Sequence, residues 1–137
     1  MKVRDGMSTL VLTIGPGHTI RAAARLMAER QVGAAIVLDP DGAGPGILTE
    51  RDILESVAQG QDLDTELVGD HLTPNIVFAA PDWSLEEAAE AMTRGGFRHL
   101  VVTDNGEMVG VLSVRDIVRV WTGEGASCDV PATSSAA

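Results

Sequence analysis

Gly46-Ile47-Leu48-Thr49-Glu50-Arg51-Asp52 and Gly110-Val111-Leu112-Ser113-Val114-Arg115-Asp116 are one string written twice. Each reads as a buried strand running into a helix N-terminus, with a hydroxyl at the junction and a carboxylate three residues later. The two copies stand 64 residues apart, and upstream of them Val3, Asp5, Met7, Pro16, Ile20 and Met27 recur as Val68, Asp70, Leu72, Pro81, Leu85 and Met92 at an offset of 65. The slip of one falls in a turn, residues 39–45 against the shorter 104–109, and turns are where changes of length are tolerated. The chain is therefore an internal duplication, each copy one supersecondary unit.

Working outward from the string, the copies predict the same order of elements. In the first, residues 10–14 read as a strand broken at Pro16-Gly17-His18-Thr19. Ile20, Ala23, Ala24 and Met27, opposite Arg21, Arg25 and Glu29, predict an amphipathic helix over 19–31. Strands 34–38 and 46–48 follow, joined by a Gly/Pro/Asp turn. A helix then opens at Thr49, with Ile53, Leu54 and Val57 on its apolar face. The second copy predicts strand 76–79, helix 85–94, strands 99–103 and 109–112, and helix 114–121, with Ser84 and Glu87 as a capping box at the first helix. Units at 3–60 and 68–122 are thus expected, with a polar, acidic linker at 61–67. Small and polar residues over 123–137 cannot bury enough apolar area to order themselves, so a disordered tail is expected there.

Strand-helix-strand-strand-helix, twice, predicts an α/β fold of the α+β type, each small sheet covered by helices on one face. A half of about 60 residues buries too little surface to stand alone. The halves are expected to pack sheet to sheet about a pseudo-two-fold, leaving clefts at the joint where strands end and helices begin.

Composition narrows the function. A formal charge of -10 opposes binding to nucleic acid or to an anionic membrane, and the apolar runs are too short to span a bilayer. The polar opening residues do not resemble an export signal, so a cytoplasmic location is expected. The single cysteine, Cys128, excludes an intramolecular disulfide. No nucleophile has an activating neighbour by spacing, so no enzyme is expected, and His18 and His71 lack partners at metal-ligand spacing, so no metal is expected.

The duplicated string admits two readings. As [Ser/Thr]-x-x-Asp before an apolar run it is a helix capping box. As a ligand site, the unpaired N–H groups and the positive helix end attract phosphate, the hydroxyl bonds a phosphate oxygen, and the carboxylate accepts from a ribose diol. A cap needs neither the leading Gly nor the Arg before the Asp, and their duplication favours the ligand.

The paired Gly-h-h-[Ser/Thr]-x-x-Asp strings (h apolar), the order of elements and the period resemble a tandem pair of CBS domains, the Bateman module, over roughly residues 3–122. The resemblance implies a stand-alone regulatory sensor that binds adenosyl ligands such as AMP, ADP, ATP, S-adenosylmethionine or NAD between the repeats, forms a homodimer and acts on a partner protein that the sequence does not identify. Residue by residue, it assigns Asp52 and Asp116 to the ribose hydroxyls, Thr49 and Ser113 to ribose or phosphate, and Arg51 and Arg115 to the phosphate edge. Arg98 and His99 match a basic pair that reaches phosphates in some members. The first repeat has Gly33 and Ala34 instead, so the clefts are expected to differ, phosphates preferring the cleft that the pair reaches. Trp83, before a helix, is read as a helix anchor or as a stacking partner for adenine. The competing reading from another class is a constitutive scaffold whose motifs are helix caps only.

Overall fold

The inner strands are buried on both faces, and successive side chains point to opposite layers. The computed structural model describes residues 1–42, 44–74 and 76–123; Cys128 and the expected disordered tail beyond Gly123 lie outside them. The elements are α1 (Val3–Gly6), β1 (Thr13–Ile14), α2 (Ile20–Arg30), β2 (Ala34–Val37), β3 (Gly46–Thr49), α3 (Glu50–Ala58), a 3₁₀ turn at Val68–Asp70, β4 (Phe78–Ala79), α4 (Leu85–Gly95), β5 (His99–Asp104), β6 (Glu107–Ser113) and α5 (Val114–Gly123). They build two three-stranded sheets, β1-β2-β3 and β4-β5-β6, each with a parallel first pair and an antiparallel second pair.

With period 2, Ala35, Val37 and Leu48 face Ile20, Ala23 and Met27 of α2, while Leu100, Val102 and Leu112 face Leu85, Ala88 and Met92 of α4. The opposite faces meet each other: Ala34, Ile36, Ile47 and Val101 form one buried cluster between the sheets. The result is helices, sheet, sheet, helices, as the duplicated pattern predicts. No described helix is long and apolar enough to cross a membrane.

Four details depart from expectation. First, β1 and β4 keep only two residues each, and the segments before them border the joint between the halves, where Leu10, Ile76 and Val77 line clefts. Second, the predicted apolar face of α3 is mostly open: Ile53 packs on the core, but Leu54 is 67% and Val57 52% exposed, and Val118 and Trp121 of α5 are 51% and 68% exposed. Third, only half of the Ser84 box forms, its hydroxyl accepting from the Glu87 N–H at 3.0 Å.

Fourth, the opening segment of each repeat is exchanged. Val3 lies in the core of the second half and Val68 in that of the first, both fully buried. The N–H of Ile20 donates to the Glu66 carbonyl and the N–H of Leu85 to the Met1 carbonyl, at 2.9 and 3.1 Å, so each opening segment also ties down the start of a helix in the half that it joins.

Candidate functional site

At the β3–α3 junction Thr49 is extended (φ -114, ψ 165) and its Oγ1 accepts from the Asp52 N–H at 3.3 Å. Asp52 Oδ2 accepts in return from the Thr49 N–H at 2.8 Å and from the Thr49 hydroxyl at 3.0 Å. At the β6–α5 junction Ser113 Oγ accepts from the Asp116 N–H at 3.0 Å and Asp116 Oδ2 from the Ser113 N–H at 2.9 Å. Both strings are therefore complete capping boxes, and each box engages Oδ2. The remaining oxygens differ. Asp52 Oδ1 has no hydrogen-bond partner among the described residues, whereas Asp116 Oδ1 accepts from Arg119 Nη2 at 3.3 Å.

The leading glycines have a packing cause, not a ligand one. Segment 72–73 crosses Gly46 and segment 7–8 crosses Gly110, where Ile47 and Thr73, and Val111 and Ser8, exchange backbone hydrogen bonds of 2.8–2.9 Å. A Cβ at Gly46 would stand 2.6 Å from Leu72 Cδ1 and 3.2 Å from the Thr73 carbonyl oxygen. At Gly110 it would stand 2.7 Å from the Ser8 carbonyl oxygen. The glycine thus admits the exchanged segment, and its duplication does not favour ligand over cap.

Two clefts open at the joint. One, of about 370 Å³, is lined by Ser113, Arg115 and Asp116 together with Gln31, Val32 and Gly33 of the other repeat. The second, of about 390 Å³, is lined by Thr49, Arg51 and Asp52 together with Gly96 and Phe97 of the other repeat. Arg98 and His99 border both clefts, as does Glu50. All eight residues singled out in the sequence thus lie at clefts, each cleft pairing the motif of one repeat with the helix-to-strand turn of the other. The expectation that Arg98 and His99 serve one cleft does not hold, because His99 opens β5 at the centre of the joint and forms part of the wall that the clefts share.

The electrostatics of that wall are mixed. Burial lowers the His99 pKa below its ordinary value; Glu50 and Asp116 oppose the shift, and Arg115 and Arg98 add to it. Glu50 Oε2 lies 3.4 Å from Arg115 Nη2. Arg51 pairs with Glu55 on the surface of α3 at 3.5 Å. Nothing in the motif singles out Glu50, since an N-terminal Glu on a helix is usual. Nor does the motif point to Gln31, which ends α2 in the left-handed region (φ 55) where the second repeat has Gly96 (φ 72); the alignment of those two positions was the available signal.

Trp83 borders neither cleft. It packs on the core of the second half, and its carbonyl accepts from the Val3 N–H at 2.7 Å, so it serves as an anchor. His18 Nδ1 turns back on Gly15 at 3.2 Å, and His71 Nε2 meets Glu66 Oε1 at 2.8 Å.

The family model of the CBS domain matches residues 3–59 and 68–123. The CBS domain-containing protein YhcV of Bacillus subtilis is 38% identical over 116 residues, 84% of this chain and 81% of the relative. Among solved structures, the hexameric CBS-CP12 protein from bloom-forming cyanobacteria superposes with a TM-score of 0.80 at 28% identity, over 86% of this chain and 66% of that one. The CBS domain pair of protein MJ0100, in complex with 5′-methylthioadenosine and S-adenosyl-L-methionine, superposes with a TM-score of 0.78 at 24% identity, over 90% of this chain and 97% of that one. With a match in each half and the two sheets packed face to face, this chain belongs to the CBS-domain family as a tandem pair.

Proposed function

We propose that this chain is a non-catalytic sensor that binds an adenosyl ligand, of the AMP, ADP or ATP kind, in the clefts between its repeats and responds by changing its contacts with a partner protein. The observation that carries the reading is the composition of each cleft. A helix N-terminus, a hydroxyl and a carboxylate from one repeat face the turn of the other, so a ligand there would hold both repeats at once. Capping does not exhaust the motif: each box engages Oδ2, and Asp52 Oδ1, which has no hydrogen-bond partner among the described residues, is open to accept from a ribose diol. Thr49, Arg51, Ser113 and Arg115 stand beside the carboxylates, and Arg98 and His99 stand between them. The adenosyl ligands bound by the MJ0100 pair support the ligand class.

Leu54 and Val57 on α3 and Val118 and Trp121 on α5 leave apolar surface open on the helical side. This favours a homodimer joined through those helices, a self-complementary arrangement about a two-fold. The oligomeric state of the CBS-CP12 protein supports self-association in general terms.

The scaffold reading keeps one specific observation in its favour, since the hydroxyl and the carboxylate of each motif are both engaged in a complete capping box. A thermal-unfolding series with millimolar adenosine, AMP and ATP separates the two. A sensor gains stability by mass action, about 2.7 kcal/mol at a hundredfold excess over Kd. A scaffold unfolds at one temperature throughout.

A further inference from the structure

Glu50 opens α3 where the second repeat has Val114 opening α5, so the pseudo-two-fold relates a carboxylate to an isopropyl group. Gly33 makes room for it. A Cβ there would stand 3.1 Å from Glu50 Oε1, and the matching position in the second repeat carries Arg98. The carboxylate lies over Gly33 with Oε2 3.4 Å from Arg115 Nη2. Gly33 and Arg115 border the cleft that holds Asp116 and do not border the one that holds Asp52. By these contacts the charged end of Glu50 belongs to the Asp116 cleft, although the residue borders both.

The consequence is a difference in charge between clefts that share a motif. Beside Asp116, one arginine is already turned to Glu50 and another, Arg119, is turned to Asp116 itself. Beside Asp52, Arg51 pairs with Glu55 at 3.5 Å, a pair as open to solvent as that of Arg115 with Glu50, but Glu55 does not border the cleft. A phosphate entering the Asp116 cleft would lie beside the Glu50 carboxylate, whose solvent-exposed pair with Arg115 offsets little of the repulsion. A ligand without phosphate avoids that repulsion.

We propose that Glu50 sets the ligand charge accepted by the Asp116 cleft, admitting adenosyl ligands whose 5′ substituent is uncharged or cationic and turning phosphorylated ones toward the Asp52 cleft. The inference rests on the adenosyl-sensor reading and adds a specificity residue to it.

The test is calorimetry on the full chain carrying Asp52→Asn, which weakens the other cleft, with adenosine, AMP and S-adenosylmethionine as probes. Adding Glu50→Gln should strengthen AMP by about three- to tenfold, an effect that shrinks at high salt, while adenosine changes by less than about twofold and S-adenosylmethionine weakens. Glu50→Ala must shift the ratio of AMP to adenosine in the same direction, which guards against a misfolded first variant. Equal changes for AMP and adenosine, or weaker AMP binding, overturn the role of Glu50 and leave the sensor reading in place. Absence of heat from all three probes with the unsubstituted chain overturns both.

Discussion

Arg119 Nη2 lies 3.3 Å from Asp116 Oδ1 and 3.1 Å from the Gly6 carbonyl oxygen. One guanidinium thus ties the exchanged helix α1 to α5 and occupies the carboxylate oxygen that the second capping box leaves over. In the first repeat the matching position is Glu55, and Asp52 Oδ1 stays open among the described residues.

The first prediction follows from that difference. Asp52→Asn should cost more adenosyl affinity than Asp116→Asn, because the Asp52 carboxylate can accept from the ribose without giving up a protein contact. Loss of a charged acceptor is expected to cost about 1.5 to 3 kcal/mol, roughly ten- to a hundredfold in Kd. Calorimetry with adenosine reads both variants, and an equal or inverted order contradicts the assignment.

A second prediction concerns the exchanged segments. Val3 and Val68 are equally buried in opposite halves, so Val3→Ala should destabilise the chain by about 1.5 to 3 kcal/mol although it lies at the third residue. Val68→Ala should cost a similar amount. Urea unfolding measures both; a neutral Val3→Ala would show that α1 is not part of the second core.

The layers were legible in the sequence because the evidence for them is local. Short apolar runs in β2 and β5, helical spacing in α2 and α4 and the turn residues between them are written within a few positions. The exchange was not, because the recurrence of Val3 as Val68 shows that two segments are alike without showing which half each one joins. The same limit explains the glycines. Gly46 and Gly110 answer to chain segments that cross them from outside the motif, so their cause is nonlocal. Within the site, the spacing places Asp52 and Asp116 at helix starts and the resemblance implies their ribose role, while the proposed role of Glu50 depends on Gly33 and Arg115, 17 and 65 positions away.

A third prediction is a pH dependence carried by His99. Its pKa is lowered chiefly by burial, with Arg115 and Arg98 adding to the shift and Glu50 and Asp116 opposing it. Below the ordinary value of 6.5 the unfolded chain therefore binds a proton that the folded chain resists. His99 leaves stability unchanged well above that pH and lowers it as the pH falls through 6.5 toward the depressed folded value. His99→Gln should flatten the loss of stability between about pH 7.5 and about pH 5.5, measured by urea unfolding at each. Parallel losses in the variant and the unsubstituted chain would contradict it.

A fourth prediction is that Trp121→Glu breaks self-association. The indole is 68% exposed at the end of α5, one turn from the exposed Val118, and a carboxylate there would have to be desolvated in the dimer. Light scattering should give twice the 14.3 kDa chain mass for the unsubstituted protein and 14.3 kDa for the variant. A monomer in both cases rejects the dimer.

The central claim, that the two clefts hold adenosyl ligands through the duplicated carboxylates, is tested most directly by calorimetric titration of AMP, ADP, ATP, NAD and S-adenosylmethionine into the full chain, repeated with Asp52→Asn and Asp116→Asn combined. The account predicts saturable heat from at least one of these ligands, lost in the doubly substituted chain while its fold, followed by circular dichroism, persists. No heat at millimolar concentration from any of them, or heat that survives both substitutions, would contradict it.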